Sequence, residues 1–341
     1  MKKFSAGLLV LLMLFVLSLG AVAAQSDLGT EGNPIQVYFV PSVEASVITT
    51  GGEVMKAALE EATGLKFEVS VPASYAATVE AMCAAPSSSM GFIPALGYVI
   101  ASDRCGVTVS EKAVRFGWSV YWTEYIVRRD SNIYTFGDLA GKKWGYGEPS
   151  STSGYAVPFT ELKAAGIEPG EAIETGGHNQ TVLAVYNGEV DFGTTFFSPP
   201  LMPEGNAPWR VGDSPEPFDL LSESSFVSED GSKLFVGDTR ILDARANVRD
   251  TAPDVVDKVR ILRISQSIPN DTLSFGPDFP EDVKTQVLDA LTAFSKTEGW
   301  ATSIGSNDFY GWTGIQPTND AEYDIVRDMV SNIPALVDRY K

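Results

Sequence analysis

Gly147-Glu148-Pro149-Ser150-Ser151-Thr152-Ser153-Gly154-Tyr155 decides the fold, because it joins a short strand pattern, Lys143 to Gly147, to a helix pattern running from about Gly154 to Gly166. A strand that hands over to a helix through a polar turn is the repeating unit of an α/β protein. The same unit recurs upstream. Ile35 to Val40 reads as a strand ending at Pro41, and a helix follows from about Thr50, with Val54, Ala58, Leu59 and Ala62 on one face and Gly64 as its stop. Leu65 to Val71 alternates like a strand, and Tyr75 to Ala84 reads as a helix with Val79 and Met82 on a shared face. Strands are expected at Met90 to Ile93, Arg115 to Tyr121 and Tyr125 to Arg128. Downstream, a helix from about Gln180 to Asn187 leads to a strand at Val190 to Phe192. Residues 203–250 turn irregular and acidic and read as a surface insertion with some strand content. Val259 to Ser265 restores a strand. Val283, Val287, Leu291 and Phe294 then lie at helical spacing, and a last helix is expected over Ala321 to Tyr340. The pattern predicts an α/β fold with largely parallel sheets, without internal repeat or low-complexity tract.

The N-terminus sets the compartment. Lys2 and Lys3 precede the apolar run Ala6 to Leu19, and small residues follow at Ala21-Val22-Ala23-Ala24. Those are the parts of a secretory signal peptide, expected to occupy residues 1–24. No cysteine ends the run to carry a lipid, and no later stretch reaches the roughly 18 apolar residues of a membrane helix. The mature chain is therefore expected to be exported and soluble. Its remaining length of roughly 315 residues suits two lobes, and 44% hydrophobic residues can fill them. A formal net charge of −19 argues against nucleic acid and anionic membrane surfaces. It also opposes an anionic ligand, unless the site is local and built from dipoles and hydrogen bonds, as a helix N-terminus is. Export permits a disulfide between Cys83 and Cys105, which would add roughly 3 kcal/mol through loop closure. Two buried thiols are the alternative. With one histidine there is no support for a metal site.

The chemistry concentrates on the opening stretch. Unpaired N–H groups and the positive end of the dipole face out of a helix start, and the hydroxyls of Ser151, Thr152 and Ser153 add rotatable donors for tetrahedral oxygens. Ordinary capping uses one such hydroxyl, so the run favours an anion cradle over a plain cap. His178, in Gly176-Gly177-His178-Asn179, could donate to an oxyanion from the start of the next helix, or be structural. Asp271, after Ile268-Pro269-Asn270, could accept from a protonated ligand oxygen, or serve a turn. Asp191 is assigned a structural role. A Ser153–His178–aspartate triad is set aside because no G-x-S-x-G elbow is present, and metal catalysis finds too few ligands. An enzyme is not expected, and no cofactor.

These segments together resemble the phosphate/phosphite/phosphonate-binding proteins of ABC transporters, over nearly the whole mature chain apart from residues 203–250. The family's S-T-S-G turn is similar to Ser151-Thr152-Ser153-Gly154, its D-Y-A to Ser74-Tyr75-Ala76, and its Y-W-S to Tyr121-Trp122-Thr123. Its G-H matches Gly177-His178, and its I-P-x-D matches Ile268-Pro269-Asn270-Asp271. The resemblance implies a two-lobed (type II) periplasmic binding-protein fold with two hinge crossings. One lobe would be built from residues 34–121 and 272–341, the other from 122–271. It implies ligand oxygens on Ser151, Thr152, Ser153 and Tyr75, with Tyr121, His178 and Asp271 around them, and lobes that close on the ligand. A small phosphorus oxyanion and a membrane permease are the implied partners of a monomer. Family members that bind aminophosphonates carry a carboxylate after the V-D strand, where this chain has Thr194-Thr195-Phe196-Phe197-Ser198-Pro199. An unpaired ammonium there would be costly, so phosphate, phosphite or a small alkylphosphonate is expected. A partner of a membrane sensor, and a receptor for another tetrahedral oxyanion, are the competing roles.

Overall fold

A computed structural model of the chain describes residues 27–331. The expected signal peptide and the last residues of the expected C-terminal helix lie outside them. The first sheet is assembled from β1 (Ile35–Phe39), β2 (Phe67–Ser70), β3 (Ser89–Ile93) and β4 (Thr108–Val114), joined through α1 (Ala45–Thr63), α2 (Tyr75–Ala84) and α3 (Ala95–Cys105). The second contains β5 (Val120–Arg128), β6 (Lys143–Tyr146), β7 (Glu171–Glu174) and β8 (Phe192–Phe197), with α4 (Val157–Ala164) and α5 (His178–Asn187) between them. Three short strands, β9 (Ser225–Val227), β10 (Leu234–Val236) and β11 (Thr239–Ile241), form a small antiparallel sheet of their own. After α6 (Val255–Lys258), β12 (Val259–Ile264) rejoins the second sheet, β13 (Ile268–Pro269) pairs with β5, and β14 (Thr272–Phe275) re-enters the first. The chain ends on α7 (Glu281–Phe294), α8 (Glu298–Ala301), β15 (Gly314–Pro317) and α9 (Asp324–Ser331).

The strand order is β15-β4-β14-β3-β1-β2 in the first sheet and β12-β5-β8-β6-β7 in the second. Only β1/β2, β1/β3, β6/β7 and β6/β8 are parallel. The expectation of largely parallel sheets is therefore corrected: both are mixed. The reason is the crossing segments. Chains that pass from one sheet to the other and back enter as antiparallel strands, β5 and β12 on one side and β14 and β4 on the other. The crossings lie side by side, with Ile268 opposite Tyr121 and Pro269 opposite Val120. Asn270 ties them by donating from Nδ2 to the carbonyls of Ala113 and Trp118, both at 2.9 Å.

Local chemistry explains where the sequence pattern held. Helix α7 buries Val283, Val287, Leu291 and Phe294, the spacing read from the sequence, and Gly64 caps α1 in the left-handed region. Helix α2 begins where Ser74 Oγ accepts from Ala77 N–H. Helix α1 instead starts five residues before Thr50 and buries Ile48, Met55 and Leu59, leaving Val54 exposed. Gly51 and Gly52, which look like a helix break, sit mid-helix because a Cβ at either would strike Phe309 or Val69. The expected strand Arg115 to Tyr121 is a two-residue turn followed by the first residues of β5. Arg115 and Trp118 exchange backbone hydrogen bonds across Phe116 (φ 51°) and Gly117 (φ 87°), the pair of positive φ values that a type I′ hairpin needs. Helix α3 and strand β4 have no sequence expectation behind them. The first seven residues of α3 are all buried, so the helix shows no one-sided period.

Strand β5 alternates between two cores. Trp122 and Ile126 pack with α5 and β8, whereas Tyr125 and Val127 pack with Trp144, Leu162 and Phe192 on the α4 side. Residues 203–250 are not merely a surface insertion. Trp209, Leu234, Val236, Ile241 and Ala244 join the first of these cores, and Arg245 is fully buried. Its guanidinium forks onto Asp243 (2.9 and 3.0 Å) and also pairs with Glu216, which Arg129 holds from β5's far end. Cys83 and Cys105 form a disulfide, Cα–Cα 5.6 Å, linking the ends of α2 and α3.

Candidate functional site

Both sheets contribute walls to a cavity of about 850 Å³, its open mouth included. Four helix starts meet there. Tyr75 opens α2, Pro94 is the N-cap of α3, Ser151 caps the helical turn Thr152–Ala156 that runs into α4, and His178 opens α5. Each brings the positive end of a helix dipole and N–H groups without intrahelical acceptors.

The Ser151 turn is held from behind. Ser151 Oγ accepts from Gly154 N–H at 3.1 Å, and the N–H groups of Tyr155 and Ala156 both donate to Ser151 O. Thr123 of β5 donates to Ser153 O at 2.8 Å, and Thr194 of β8 donates to Gly154 O at 2.6 Å. With its carbonyls fixed on the sheet, the turn places Ser151 and Ser153 in the cavity lining. Gly147 is required nearby: a Cβ there would come within 2.9 Å of the Gly177 backbone that carries His178.

Of the residues singled out from sequence, Tyr75, Tyr121, Ser151, Ser153, His178 and Asp271 line this one cavity. Thr152 stands apart: it is not among the residues that line the cavity, and its Oγ1 accepts from Leu96 N–H at 3.0 Å, bridging to the opposite sheet's α3. Asp191 has the structural role expected, accepting from Lys143 N–H at 2.8 Å. Phe196 lines the cavity while Thr194 and Thr195 point elsewhere, so no acid enters from that strand.

Sequence reasoning missed the cations. Arg115 projects from the crossing turn, pairs with Asp271 (Nη2–Oδ2 2.8 Å) and lies over the rings of Tyr121 and Phe196 at 5.7 and 5.8 Å. Among the described residues its Nε is buried without a hydrogen-bond partner, and so is His178 Nδ1. Arg115 Nε always carries a proton and so wants an acceptor, and His178 Nδ1 wants one in the tautomer that places its proton there. Lys233, Arg240 and Arg249 add further charge from residues 203–250, against Asp271 as the sole carboxylate of the lining among the described residues. Four cations thus stand beside the helix starts, where the sequence led to a site built mostly from dipoles. The signal for Arg115 was present in Phe116-Gly117, a turn dipeptide between two apolar runs that would have put its neighbour at a loop.

The two sides already touch across the cleft. Tyr75 N–H donates to Glu148 Oε1 at 3.0 Å, Arg249 reaches Asp308 at 2.9 Å, and Gln180 donates to Glu44 at 3.2 Å. Burial, with Arg115 adding to it, lowers the His178 imidazole from 6.5 to about 4. Burial raises Glu148 from 4.5 to about 7; the Tyr75 N–H counters this, and Glu174 adds to it. The neutral imidazole contributes stability that is complete above pH 6.5 and lost as pH falls through about 4. The protonated Glu148 contributes stability complete below pH 4.5 and lost as pH rises through about 7. The melting-temperature difference Glu148→Gln minus wild type should therefore grow as pH rises from 4.5 to 7, and that for His178→Asn should shrink from pH 4 to 6.5. Calorimetric scans across that window check both signs, and a flat difference for either variant removes its assignment.

A family model described as ABC transporter, phosphonate, periplasmic substrate-binding protein matches residues 37–323. The phosphate-import protein PhnD of Mycolicibacterium smegmatis is 25% identical over 319 residues, covering 87% of this chain and 85% of its own. The phosphonates-binding periplasmic protein of Escherichia coli is 23% identical over 268 residues, 73% of this chain and 65% of its own. Among solved structures, the binding protein component of an ABC phosphonate transporter from Pseudomonas aeruginosa superposes with a TM-score of 0.65 at 16% identity, covering 90% of this chain and 88% of that one. PhnD1 from Prochlorococcus marinus, solved with methylphosphonate, gives 0.64 at 13% identity, covering 88% and 98%. These likenesses establish the two-lobed α/β fold.

Proposed function

We propose, for a chain that belongs to the periplasmic substrate-binding family of ABC phosphonate transporters, that it captures a small phosphorus oxyanion between its lobes and delivers it to a membrane permease. The lobes are taken as residues 34–121 with 272–341, and 122–271. The ligand is phosphate, phosphite or a small alkylphosphonate, and the protein acts as an exported monomer that catalyses nothing.

The observation that carries this reading is a pair of buried nitrogens without partners among the described residues, Arg115 Nε and His178 Nδ1, on residues that line one cavity with Ser151 and Ser153. The oxyanion's oxygens lie on Ser151, Ser153 and the N–H groups of the turn. Arg115 supplies the charge, and the hydroxyls of Tyr75 and Tyr121 complete the cage. Hydrogen bonds to charged oxygens out of water are worth about 1.5–3 kcal/mol each. His178, held neutral, donates from one nitrogen rather than adding charge. Asp271 keeps Arg115 aimed at the ligand. Closure of the lobes removes water and strengthens every one of these contacts.

An aminoalkylphosphonate brings an ammonium into a lining of four cations and one carboxylate already committed to Arg115. Calorimetry of refolded, ligand-free protein against phosphate, phosphite, methylphosphonate and 2-aminoethylphosphonate tests both points. At least one of the first three should bind, and the amine should bind about tenfold or more weakly than the best of them. Tighter binding of the amine than of all three would refute the assignment.

A further inference from the structure

The cavity lining carries positive charge beyond Arg115 that a single oxyanion on the Ser151 turn leaves uncompensated. Arg240, at the end of the β10–β11 hairpin, is half-buried in the cavity wall. Among the described residues its guanidinium makes no ion pair and no hydrogen bond. It lies instead over the Phe116 ring, 5.6 Å from guanidinium carbon to ring centre. Stacking of this kind uses the face of the guanidinium and leaves its edge, with five donors in a planar fork, free for an acceptor. Phe116 is held there at φ 51° in the crossing turn, with its N–H on Thr313 Oγ1 at 2.8 Å. A non-glycine residue in that region is strained, so the platform under Arg240 is maintained against a local penalty.

The neighbouring charges do not satisfy it. Arg249, the adjacent cation, is fully engaged with Gly231 O (2.7 Å), Ala246 O (3.0 Å) and Asp308 (2.9 Å). It therefore repels Arg240 without serving as its partner. Asp230, the nearby acid, is held by Ser228 and Ser232 and forms no ion pair with it. Lys233, in the β9–β10 connection just before β10, adds a third positive group to the lining. Burial, and after it Arg249, works against the charge on Arg240, which an anion beside it would relieve.

We propose that the ligand carries a second acidic group on a short arm, received by the free edge of Arg240 with Lys233 beside it, so that the substrate class is a phosphonate or phosphate ester bearing a carboxylate or a second phosphorus acid. The proposal narrows the ligand from phosphate, phosphite or a simple alkylphosphonate to one with a second acid, and it rests on the reading that the first phosphorus group lies on Ser151, Ser153 and Arg115. It explains why residues 203–250 supply basic side chains to the cleft of a chain whose net charge is −19. Arg240 is a specificity-determining residue under this assignment, and the primary oxyanion site does not depend on it.

Calorimetry on refolded protein, with methylphosphonate, propylphosphonate, 3-phosphonopropionate and methylenediphosphonate as probes, tests it on wild type, Arg240→Gln and Arg240→Lys. Wild type should bind one or both of the diacids at least about tenfold more tightly than propylphosphonate. Arg240→Gln should reduce that preference to about twofold or less, Arg240→Lys should retain part of it, and methylphosphonate affinity should be the same in all three. Which diacid gains tells a carboxylate from a phosphorus acid. A wild type that binds methylphosphonate without preferring either diacid overturns the second subsite alone. Equal weakening of all probes by Arg240→Gln also overturns it. A wild type that binds only phosphate or phosphite overturns this proposal alone, and one that binds neither these nor any of the four overturns the reading of the primary site and this proposal with it.

Discussion

Replacing Arg115 by methionine should lower the affinity for methylphosphonate about 100-fold or more, because truncating a charged partner of a desolvated anion costs about 2–5 kcal/mol. The substitution removes the cation whose Nε is buried and unpartnered and leaves the Asp271 carboxylate without its 2.8 Å ion pair. Burial already raises Asp271, and Arg115 is what pulls it back down. In the variant that carboxyl either stays charged, repelling the ligand, or takes up a proton and donates to it. The second outcome would appear as affinity partly recovered at acid pH. Titration of wild type and Arg115→Met at pH 7 and pH 5 measures both effects. An affinity within about threefold of wild type at both pH values would show that Arg115 serves the hinge and not the ligand.

Loss of Arg245 should be the most damaging change to stability, about 3–5 kcal/mol for Arg245→Met, because it strands buried charges. The guanidinium is fully buried and donates to Asp243 twice, to Glu216 and to Val259 O at 3.0 Å. Glu216 retains Arg129, but among the described residues Asp243 has no second cation. Glu124 lies close by, its carboxyl pushed up by burial and then by Asp243, with one oxygen unpartnered. Removing the central cation from this group of acids therefore leaves several desolvation penalties unmatched at once. Urea titration followed by far-ultraviolet circular dichroism reads the loss. A shift equivalent to less than about 1 kcal/mol would mean that residues 203–250 are held by their apolar contacts alone.

The sequence made the alternation of strands and helices legible because most elements are half-buried, and a half-buried element carries its period openly. Helix α7 and the helix at Tyr75 to Ala84 are of this kind. The elements that went unread are buried on all sides or interrupted. The start of α3 shows no period, and Gly51-Gly52 hides the first turns of α1 behind what looks like a break. Sheet polarity was misjudged for another reason: which strands return through a crossing is a long-range property that no window of sequence contains. At the site, hydroxyls and aromatics were legible because they sit at helix starts with recognisable turns. Arg115, Arg240 and Arg249 were not, because a turn read as a strand concealed one and an acidic, irregular stretch concealed the other two. Thr152 shows the limit within a motif. Its neighbours face the cavity, while its own hydroxyl serves the contact to Leu96.

The most direct test is a crystal structure of the refolded protein grown with methylphosphonate. The phosphonyl oxygens should lie within hydrogen-bond distance of the Ser151 and Ser153 hydroxyls and of Arg115, roughly 2.6–3.1 Å. The lobes should close over them, with Glu148 still against the start of α2. A phosphonate bound at Arg240 with the Ser151 turn unengaged, or bound outside the cleft altogether, would contradict the account.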